Sequence, residues 1–440
     1  MSVVAELLRR VERVAPAHPT APVPLDESVA GYRVAVVCIG IAFTLTGLYM
    51  GSEIGLALGW RRGVRAAVIG SVILSAMSIP AAIVGARTRL STYMIVRNVF
   101  GRGGSRAVNL VLALVLIGWY AVTAELFGRT CYLAISQYAP QLAVSPHVYT
   151  IMCSVLVILT TIFGFRALDR LSLLVAPLLV ALTVFVAYQA LKHASWAVIG
   201  SSVGTDPDMS LGTSAVVGGM IVNVVLMPDL TRYSRTALDC ALISVTGNGI
   251  ANGVMLVLAM LPALAFGEQD PMKYMALLGL AGVAFIILVL STWTVNAVNL
   301  YSAGLVTATA MPSAGYGRVV IGAGLAGTLL ATLGLADRFL EFLAILGLVV
   351  PPIAAVYLTD FFVLRRSDYQ ALRHLETSEL TNVNGLVAFV FGAVIGCALY
   401  VGKVSLSGVP TIESFVSAGL VYWVLEKVRA RRGRDRMWRA

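Results

Sequence analysis

Two stretches decide the fold of this chain: FTLTGLYMGSEIG at 43–55 and VVGGMIVNVVLMPDL at 216–230. The first carries glycines spaced four apart, and the second carries Gly218, Gly219 and then Pro228. Glycine and proline within an apolar helix can interrupt it and expose backbone amides and carbonyls, which predicts a binding site near the bilayer centre. Small residues four apart also let helices pack closely, and that alternative stays open for either helix taken alone.

The composition extends the same pattern over the whole chain of 440 residues. Hydrophobic residues make up 58% and charged residues 12%, with a mean hydropathy of +0.87, whereas an ordinary soluble domain carries about 25% charged residues. About 20 apolar residues suffice to cross a bilayer as a helix, and the runs are longer than the spans of a β-barrel. The sequence therefore predicts an all-α integral membrane domain with twelve spans. These are 33–59, 63–86, 107–134, 148–165, 171–191, 211–229, 239–266, 274–304, 318–334, 338–364, 384–402 and 411–428.

The positions of the two interrupted helices predict internal symmetry. They are the first and the sixth spans. Because five is an odd number, the chain leaves the first set of five on the opposite side of the membrane, and a second set of five starts from there. We therefore expect a five-plus-five inverted repeat. The predicted segments are a flexible tail (1–32), the first repeat (33–191), the second repeat (211–364), two additional helices (384–428) and a basic tail (429–440).

The basic residues predict the orientation. With the N-terminus inside, 24 of the 32 Lys and Arg lie on cytoplasmic segments and eight lie outside. This asymmetry is the positive-inside pattern, and it predicts a multi-pass plasma (inner) membrane protein with both termini in the cytoplasm. The basic C-terminal segment is then interpreted as a topology signal that touches anionic lipid of the bilayer, in preference to a nucleic-acid site.

The histidines exclude two classes of site. His18, His147, His193 and His374 all lie in tails, loops or helix ends, which argues against a buried histidine relay or a metal centre. The sequence also lacks a nucleophile elbow and an HExxH motif. We therefore predict no enzyme, no cofactor and no metal beyond a coupling sodium ion.

Polar side chains inside apolar spans are candidates for a site because they are costly in hydrocarbon. Trp119 offers a flat face for stacking, and Asn223, Asn296 and Asn299 each present a donor and an acceptor that suit the amide edge of a heterocycle. Asparagine also joins neighbouring helices, and that alternative stays open for each of them. Thr294 supplies a hydroxyl in the same span as two of these amides.

Charged residues in the spans have different predicted roles. Glu125 and Arg129 are one helical turn apart, which predicts a structural ion pair. Asp229 and Arg232 are three apart and predict a salt bridge in a gate region. Glu53 has no near partner in sequence, and it is either a proton carrier or a residue of an outer vestibule.

Six further motifs occur in a fixed order: GARTRLSTYMIVRNVFG (85–101), IGWY (117–120), MPDLTRYSR (227–235), GN (247–248), WTVNAVNLYSAG (293–304) and PPIAAVYLTDFFVLRRSDY (351–369). With them the chain resembles the nucleobase:cation symporter-1 family, also called the purine-cytosine permease family. The bacterial cytosine permease branch is the most similar. The resemblance extends from about Phe43 to the last helix.

The resemblance implies a LeuT-like fold of the APC superfamily, with two helices after the inverted repeat. It implies import of a nucleobase by cation symport, with the ring stacked on a tryptophan of helix three and bonded from helices six and eight. The implied substrate-binding residues are Trp119, Gly219, Met220, Asn223, Asn296 and Asn299. A sodium ion would lie between Thr294 and the carbonyls around Thr46 and Tyr49.

Four positions depart from the cytosine permease branch. Met220 stands where a second stacking aromatic is expected, and Val222, Leu116 and Val295 replace a serine, a glutamine and a second hydroxyl. These changes leave the substrate open between cytosine, a related purine or pyrimidine, and another small heterocycle. Sodium and proton coupling also both remain open. A symporter of the same fold for a thiamine-precursor pyrimidine, allantoin, a hydantoin or an amino acid is the nearer alternative, and a channel is the more distant one.

Overall fold

The computed structural model describes residues 22–163, 165–205, 208–310, 315–364, 381–402 and 404–437. Over these ranges all regular secondary structure is helical. Most of the predicted N-terminal tail (1–32) and the end of the basic tail (429–440) lie outside the described residues. The first five helices are α1 Gly31–Ala42, α2 Leu45–Thr88, α3 Thr92–Tyr138, α4 Pro146–Phe163 and α5 Phe165–His193.

The remaining helices follow the same apolar pattern. They are α6 Trp196–Gly200, α7 Met209–Val225, α8 Met227–Thr231, α9 Ala237–Ser244, α10 Asn252–Phe266, α11 Pro271–Leu277, α12 Ala281–Ala310, α13 Tyr316–Thr332, α14 Phe339–Val349, α15 Pro351–Thr359, α16 Val383–Val401 and α17 Pro410–Met437. A π-helical stretch, Val245–Ala251, joins α9 to α10. A turn of 3-10 helix, Leu335–Arg338, precedes α14, and a second π-helical stretch, Asp360–Leu364, follows α15.

Seven helical segments of the described chain are long and apolar enough to cross a membrane, and four shorter apolar helices accompany them. Two of the long helices contain a bend where a glycine takes a positive φ. Gly59 has φ +73° within α2, and Gly101 has φ +75° within α3. The bend at Gly59 separates the predicted spans 33–59 and 63–86, which the backbone otherwise joins.

One predicted span boundary is wrong. The span predicted at 274–304 begins at Ala281, because the chain before it forms a separate short helix, α11. Asp270 caps α11 by accepting a hydrogen bond from the backbone of Met272, and Gly279, with φ +72°, separates α11 from α12. The span predicted at 411–428 continues as helix α17 to Met437, so the first part of the predicted basic tail is helical.

The helices pack into two groups that meet around α2 and α3. Helix α2 packs against α7 and α10, whereas α3 packs against α4, α12 and α13, and α14 packs against α7. The outward-facing side chains are apolar. More than half of the surface of Val72, Leu114, Met152, Leu329 and Val394 is exposed. Such extensive apolar exposure is a property of a surface that faces lipid, and it fits a multi-pass membrane protein.

Candidate functional site

The first helix interruption lies between α1 and α2, at Phe43 and Thr44. Both residues have extended backbone conformations, and the Thr44 hydroxyl caps α2 by accepting a hydrogen bond from the backbone N–H of Gly47 at 3.0 Å. The hydroxyl oxygens of Thr44 and Thr46 are 2.9 Å apart. The last carbonyls of a helix have no hydrogen-bond partners within that helix. The interruption therefore brings the carbonyls at the C-terminal end of α1 next to the two buried hydroxyls.

The glycines that follow this interruption serve helix packing. A Cβ at Gly51 would lie 2.7 Å from the carbonyl oxygen of Leu256, and one at Gly55 would lie 3.0 Å from the Met260 side chain, both on α10. Helix α2 is continuous through these glycines. The predicted interruption therefore exists, but it precedes the glycines, and their spacing of four marks the close approach of α2 and α10.

The second interruption lies at Leu226, between α7 and α8. Helix α7 runs without a break through Gly218 and Gly219, so within the predicted stretch the interruption lies next to Pro228 and not at the glycine pair. Pro228, which cannot donate a backbone hydrogen bond, occupies the first turn of α8. The Tyr357 hydroxyl of α15 donates to the carbonyl of Val225 at 3.3 Å and so satisfies the end of α7.

An aromatic cluster joins α2, α3 and α14 and contains Tyr49, Trp119, Phe339 and Phe342. The Trp119 ring meets Phe339 edge-on, with 6.1 Å between centroids, and Phe342 edge-on at 5.8 Å. Tyr49 also meets Phe339 edge-on, with 5.7 Å between centroids. The two phenylalanines were missed in the sequence, where the only signal was their spacing of three residues, which places them on one helix face.

The glycine pair of α7 lies beside this cluster. Gly218 packs directly against the backbone of Leu343, the residue after Phe342. Gly219 faces Met50, the residue after Tyr49, because a Cβ there would lie 2.5 Å from the Met50 sulfur. The predicted Gly219 therefore lies against Met50, which is next in sequence to the predicted Tyr49.

Asn296 is fully buried against α3, next to Trp119. In the amide orientation that satisfies both ends, it donates to the Thr123 hydroxyl at 2.6 Å and to the Tyr120 carbonyl at 3.2 Å, and it accepts from the Ala124 N–H at 3.2 Å. The Thr123 hydroxyl in turn lies 2.7 Å from the carbonyl of Trp119. These bonds give Asn296 the alternative role of joining helices, here α12 to α3.

Asn223 and Asn299 are only partly buried. The Asn223 amide nitrogen lies 3.5 Å from the sulfur of Met220. A thioether is a weak acceptor, so this contact uses little of the hydrogen-bonding capacity of the amide. Asn299 lies one helical turn after Asn296 on α12, and its role in binding remains a prediction.

The predicted cation-binding hydroxyls lie in two places. Thr294 is buried on α12 and donates to the carbonyl of Ser291 at 2.9 Å, whereas Thr46 bonds to Thr44. Among the described residues, no hydrogen bond joins the Thr294 and Thr46 side chains directly.

The charged residues predicted in the spans differ in their partners. The predicted pair of Glu125 and Arg129 is confirmed at 2.5 Å. Glu53 is partly buried and accepts a hydrogen bond from the amide of Gln269. Asp229 and Arg232 contact other groups.

Asp229 accepts a hydrogen bond from the backbone N–H of Thr92, the first residue of α3, at 3.0 Å. Arg232 donates to the hydroxyl of Tyr233 at 3.2 Å and lies 5.1 Å from the centre of that ring. The salt bridge between Asp229 and Arg232 remains a prediction. The Asp229 contact joins α8 to the start of α3.

Comparison with known proteins places this arrangement in a family. The family described as permease for cytosine/purines, uracil, thiamine and allantoin matches residues 22–425. The chain is 26% identical over 425 residues to the cytosine permease of Escherichia coli (strain K12), covering 93% of this chain and 94% of the relative. It is 23% identical over 358 residues to the hydantoin permease of Microbacterium maritypicum, covering 76% of this chain and 71% of the relative.

A solved structure shows the same fold. Mhp1, described as a nucleobase-cation-symport-1 family transporter in a closed conformation with bromovinylhydantoin bound, has a TM-score of 0.78 and 17% identity, covering 94% of this chain and 96% of that chain. The family match includes both helix interruptions and the aromatic cluster. This chain therefore belongs to the family of permeases for cytosine/purines, uracil, thiamine and allantoin, and it is a membrane transporter, not an enzyme.

Proposed function

We propose that this chain imports a nucleobase or a related small heterocycle by cation symport with alternating access. The observation that carries the proposal is the aromatic cluster of Tyr49, Trp119, Phe339 and Phe342, which lies between the two interrupted helices. A flat ring gains favourable contact with aromatic faces. Known transporters bind their substrates at such interruptions near the bilayer centre.

In the proposed site, Trp119 stacks the ring and the neighbouring side chains read its edge. Asn223 and Asn299 are the amides with capacity for substrate, because the Asn296 amide is bonded to α3. Gly219 gives room beside Met50, and Met220 covers the second face of the ring. Asn296 then contributes by holding the α3 backbone around Trp119 in place.

The proposed cation site uses oxygen atoms at the first interruption. Thr46, the carbonyl of Tyr49 and the hydroxyl of Thr294 are the proposed sodium ligands, since the ends of broken helices present carbonyls to cations in such transporters. Glu53 is the proposed carrier if the coupling ion is a proton. Uptake measured with and without a sodium gradient, at two pH values, decides between the two ions.

The proposed topology has twelve spans, with a five-plus-five inverted repeat (33–191 and 211–364) and two additional helices (384–428). The bend at Gly59 supports this count, because it divides one long helix into the separate predicted spans 33–59 and 63–86. The distribution of basic residues supports cytoplasmic termini (1–32 and 429–440) in the plasma (inner) membrane.

A hydantoin is the second candidate substrate. The relative named hydantoin permease favours it, and a hydantoin is also a flat ring with an amide edge. A panel of labelled cytosine, uracil, purines, hydantoin and allantoin in proteoliposomes separates these solutes.

The test of the proposal is the substitution Trp119→Ala, compared with Trp60→Ala. Trp60 also lies in a helix and meets another tryptophan edge-on, Trp196 at 5.2 Å, but it lies outside the aromatic cluster. We expect Trp119→Ala to abolish saturable uptake while the protein remains folded in the membrane, and Trp60→Ala to retain uptake. Full transport by the Trp119→Ala variant contradicts the proposed function.

A further inference from the structure

The short segment 335–340, which leads into α14, carries Phe339 to the aromatic cluster. It follows Gly334, whose φ of +78° turns the chain, and it begins with the 3-10 turn Leu335–Arg338. Ala336 is completely buried, and its backbone N–H donates to Oε2 of Glu125 at 2.8 Å. The segment is thus bound through its backbone to a carboxylate on α3.

The Glu125 carboxylate is linked through Arg129 to Asp337, and the solvent exposure of the side chains increases in that order. Arg129 donates to Oε1 of Glu125 and to Oδ1 of Asp337, both at 2.5 Å. The exposed side-chain fractions are 6% for Glu125, 26% for Arg129 and 66% for Asp337. Charged hydrogen bonds that are buried contribute more than exposed ones. The ion pair of Arg129 with Glu125 is therefore stronger than its ion pair with Asp337.

We propose that Glu125 is a positioning residue that holds segment 335–340 against α3, so that Phe339 stays edge-on to Trp119 and covers the bound ring. This inference rests on the proposed function. The carboxylate touches no substrate itself. It acts through the backbone of Ala336, and it fixes the position of one aromatic side chain of the site.

The first test needs no substrate and measures amide hydrogen exchange in a peptide that covers 335–342, with the whole protein in lipid nanodiscs. Glu125→Met removes the acceptor, and we expect exchange of the Ala336 amide to increase about tenfold or more. Glu125→Gln keeps an acceptor oxygen and should restore most of the protection. Unchanged exchange in Glu125→Met overturns the proposal.

Glu413→Met is the matched control. The Glu413 carboxylate also accepts a hydrogen bond from a backbone N–H at 2.8 Å, that of Ser407, but in a different loop. We expect this variant to leave exchange in 335–342 and the KM for substrate unchanged. Increased exchange in 335–342 with Glu413→Met shows general loosening of the protein and overturns the assignment to Glu125.

The second test separates positioning from general stability through transport kinetics. We expect Glu125→Met and Phe339→Leu each to increase the KM for the transported heterocycle about five- to thirtyfold with a maximal rate within about twofold of the original, because bound substrate loses its cover. Increased exchange with an unchanged KM overturns the positioning role. If the unmodified protein transports no heterocycle, the proposed function fails together with that role, whereas the exchange result still shows whether Glu125 holds the segment.

Discussion

The two helix interruptions satisfy their backbone polar groups in different ways. At the first, between α1 and α2, two buried threonine hydroxyls lie beside the C-terminal end of α1. At the second, between α7 and α8, the ring hydroxyl of Tyr357 bonds to the carbonyl of Val225, and the Asp229 N–H bonds to the carbonyl of Leu226. The first interruption therefore presents oxygen atoms, and the second is closed by its own neighbours.

Two interrupted helices therefore need not form two equivalent sites. Cations in broken-helix transporters are held by carbonyls at helix ends, and added hydroxyls increase the number of oxygen ligands. The first interruption is thus suited to a cation. The glycines near both interruptions have another task, which is to let helices approach. Three predictions test this comparison.

We expect the greatest loss of stability from a substitution at one of the two neighbouring glycines of α7. A Cβ at Gly218 would overlap the carbonyl of Leu343 and lie 3.0 Å from the backbone nitrogen of Gly347. Neither group can rotate away, so Gly218→Ala should destabilise the protein by about 3 kcal/mol or more. Gly219→Ala meets only the flexible Met50 side chain. We expect little folded Gly218→Ala protein in size-exclusion chromatography and thermal unfolding, and a nearly normal Gly219→Ala. Equal stability of the two variants means that Gly218 is not a packing glycine.

The second prediction concerns the cation. Thr46→Val keeps the shape of the side chain but removes its hydroxyl at the first interruption. If sodium binds there, the sodium concentration for half-maximal uptake should increase about tenfold, which corresponds to the loss of one favourable ligand. Sodium dependence that does not change in this variant removes the cation from the first interruption.

Thr231→Val is the control for Thr46→Val. The Thr231 hydroxyl lies near the second interruption and is bonded to the carbonyls of Ala82 and Met227 at 2.9 and 3.0 Å. Its removal should cost about 1 kcal/mol of stability and leave the sodium dependence unchanged. An equal change in sodium dependence in both variants points to an indirect effect.

The helical fold could be predicted from the sequence because hydrocarbon permits few alternatives. Each backbone group must be bonded within its own helix, so apolar runs mark helices directly. What the sequence could not show was where one helix ends within a continuous apolar region. The start of α12 at Ala281 depends on the positive φ of Gly279, which separates it from α11, and the bend at Gly59 depends on the positive φ of that glycine.

The candidate site was predictable only where a residue is unusual for its surroundings. Trp119 and the asparagines stood out because polar atoms are costly in an apolar span. Phe339 and Phe342 did not, because a phenylalanine facing a site looks like one facing lipid. The helix-joining role of Asn296 depends on Thr123, which is distant in sequence and meets it only after the helices have packed.

A substitution at the second interruption should reduce stability least. Tyr357→Phe removes the hydroxyl bonded to Val225 at 3.3 Å, so the cost should be about 1 kcal/mol. Tyr316→Phe is a matched control, since the buried Tyr316 hydroxyl has no hydrogen-bond partner among the described residues, and its removal should be neutral or slightly stabilising. Thermal unfolding measures both. Uptake by Tyr357→Phe should keep its dependence on the cation, because this interruption is closed by the protein itself. A changed cation dependence in this variant makes the two interruptions functionally equivalent and ends the distinction between them.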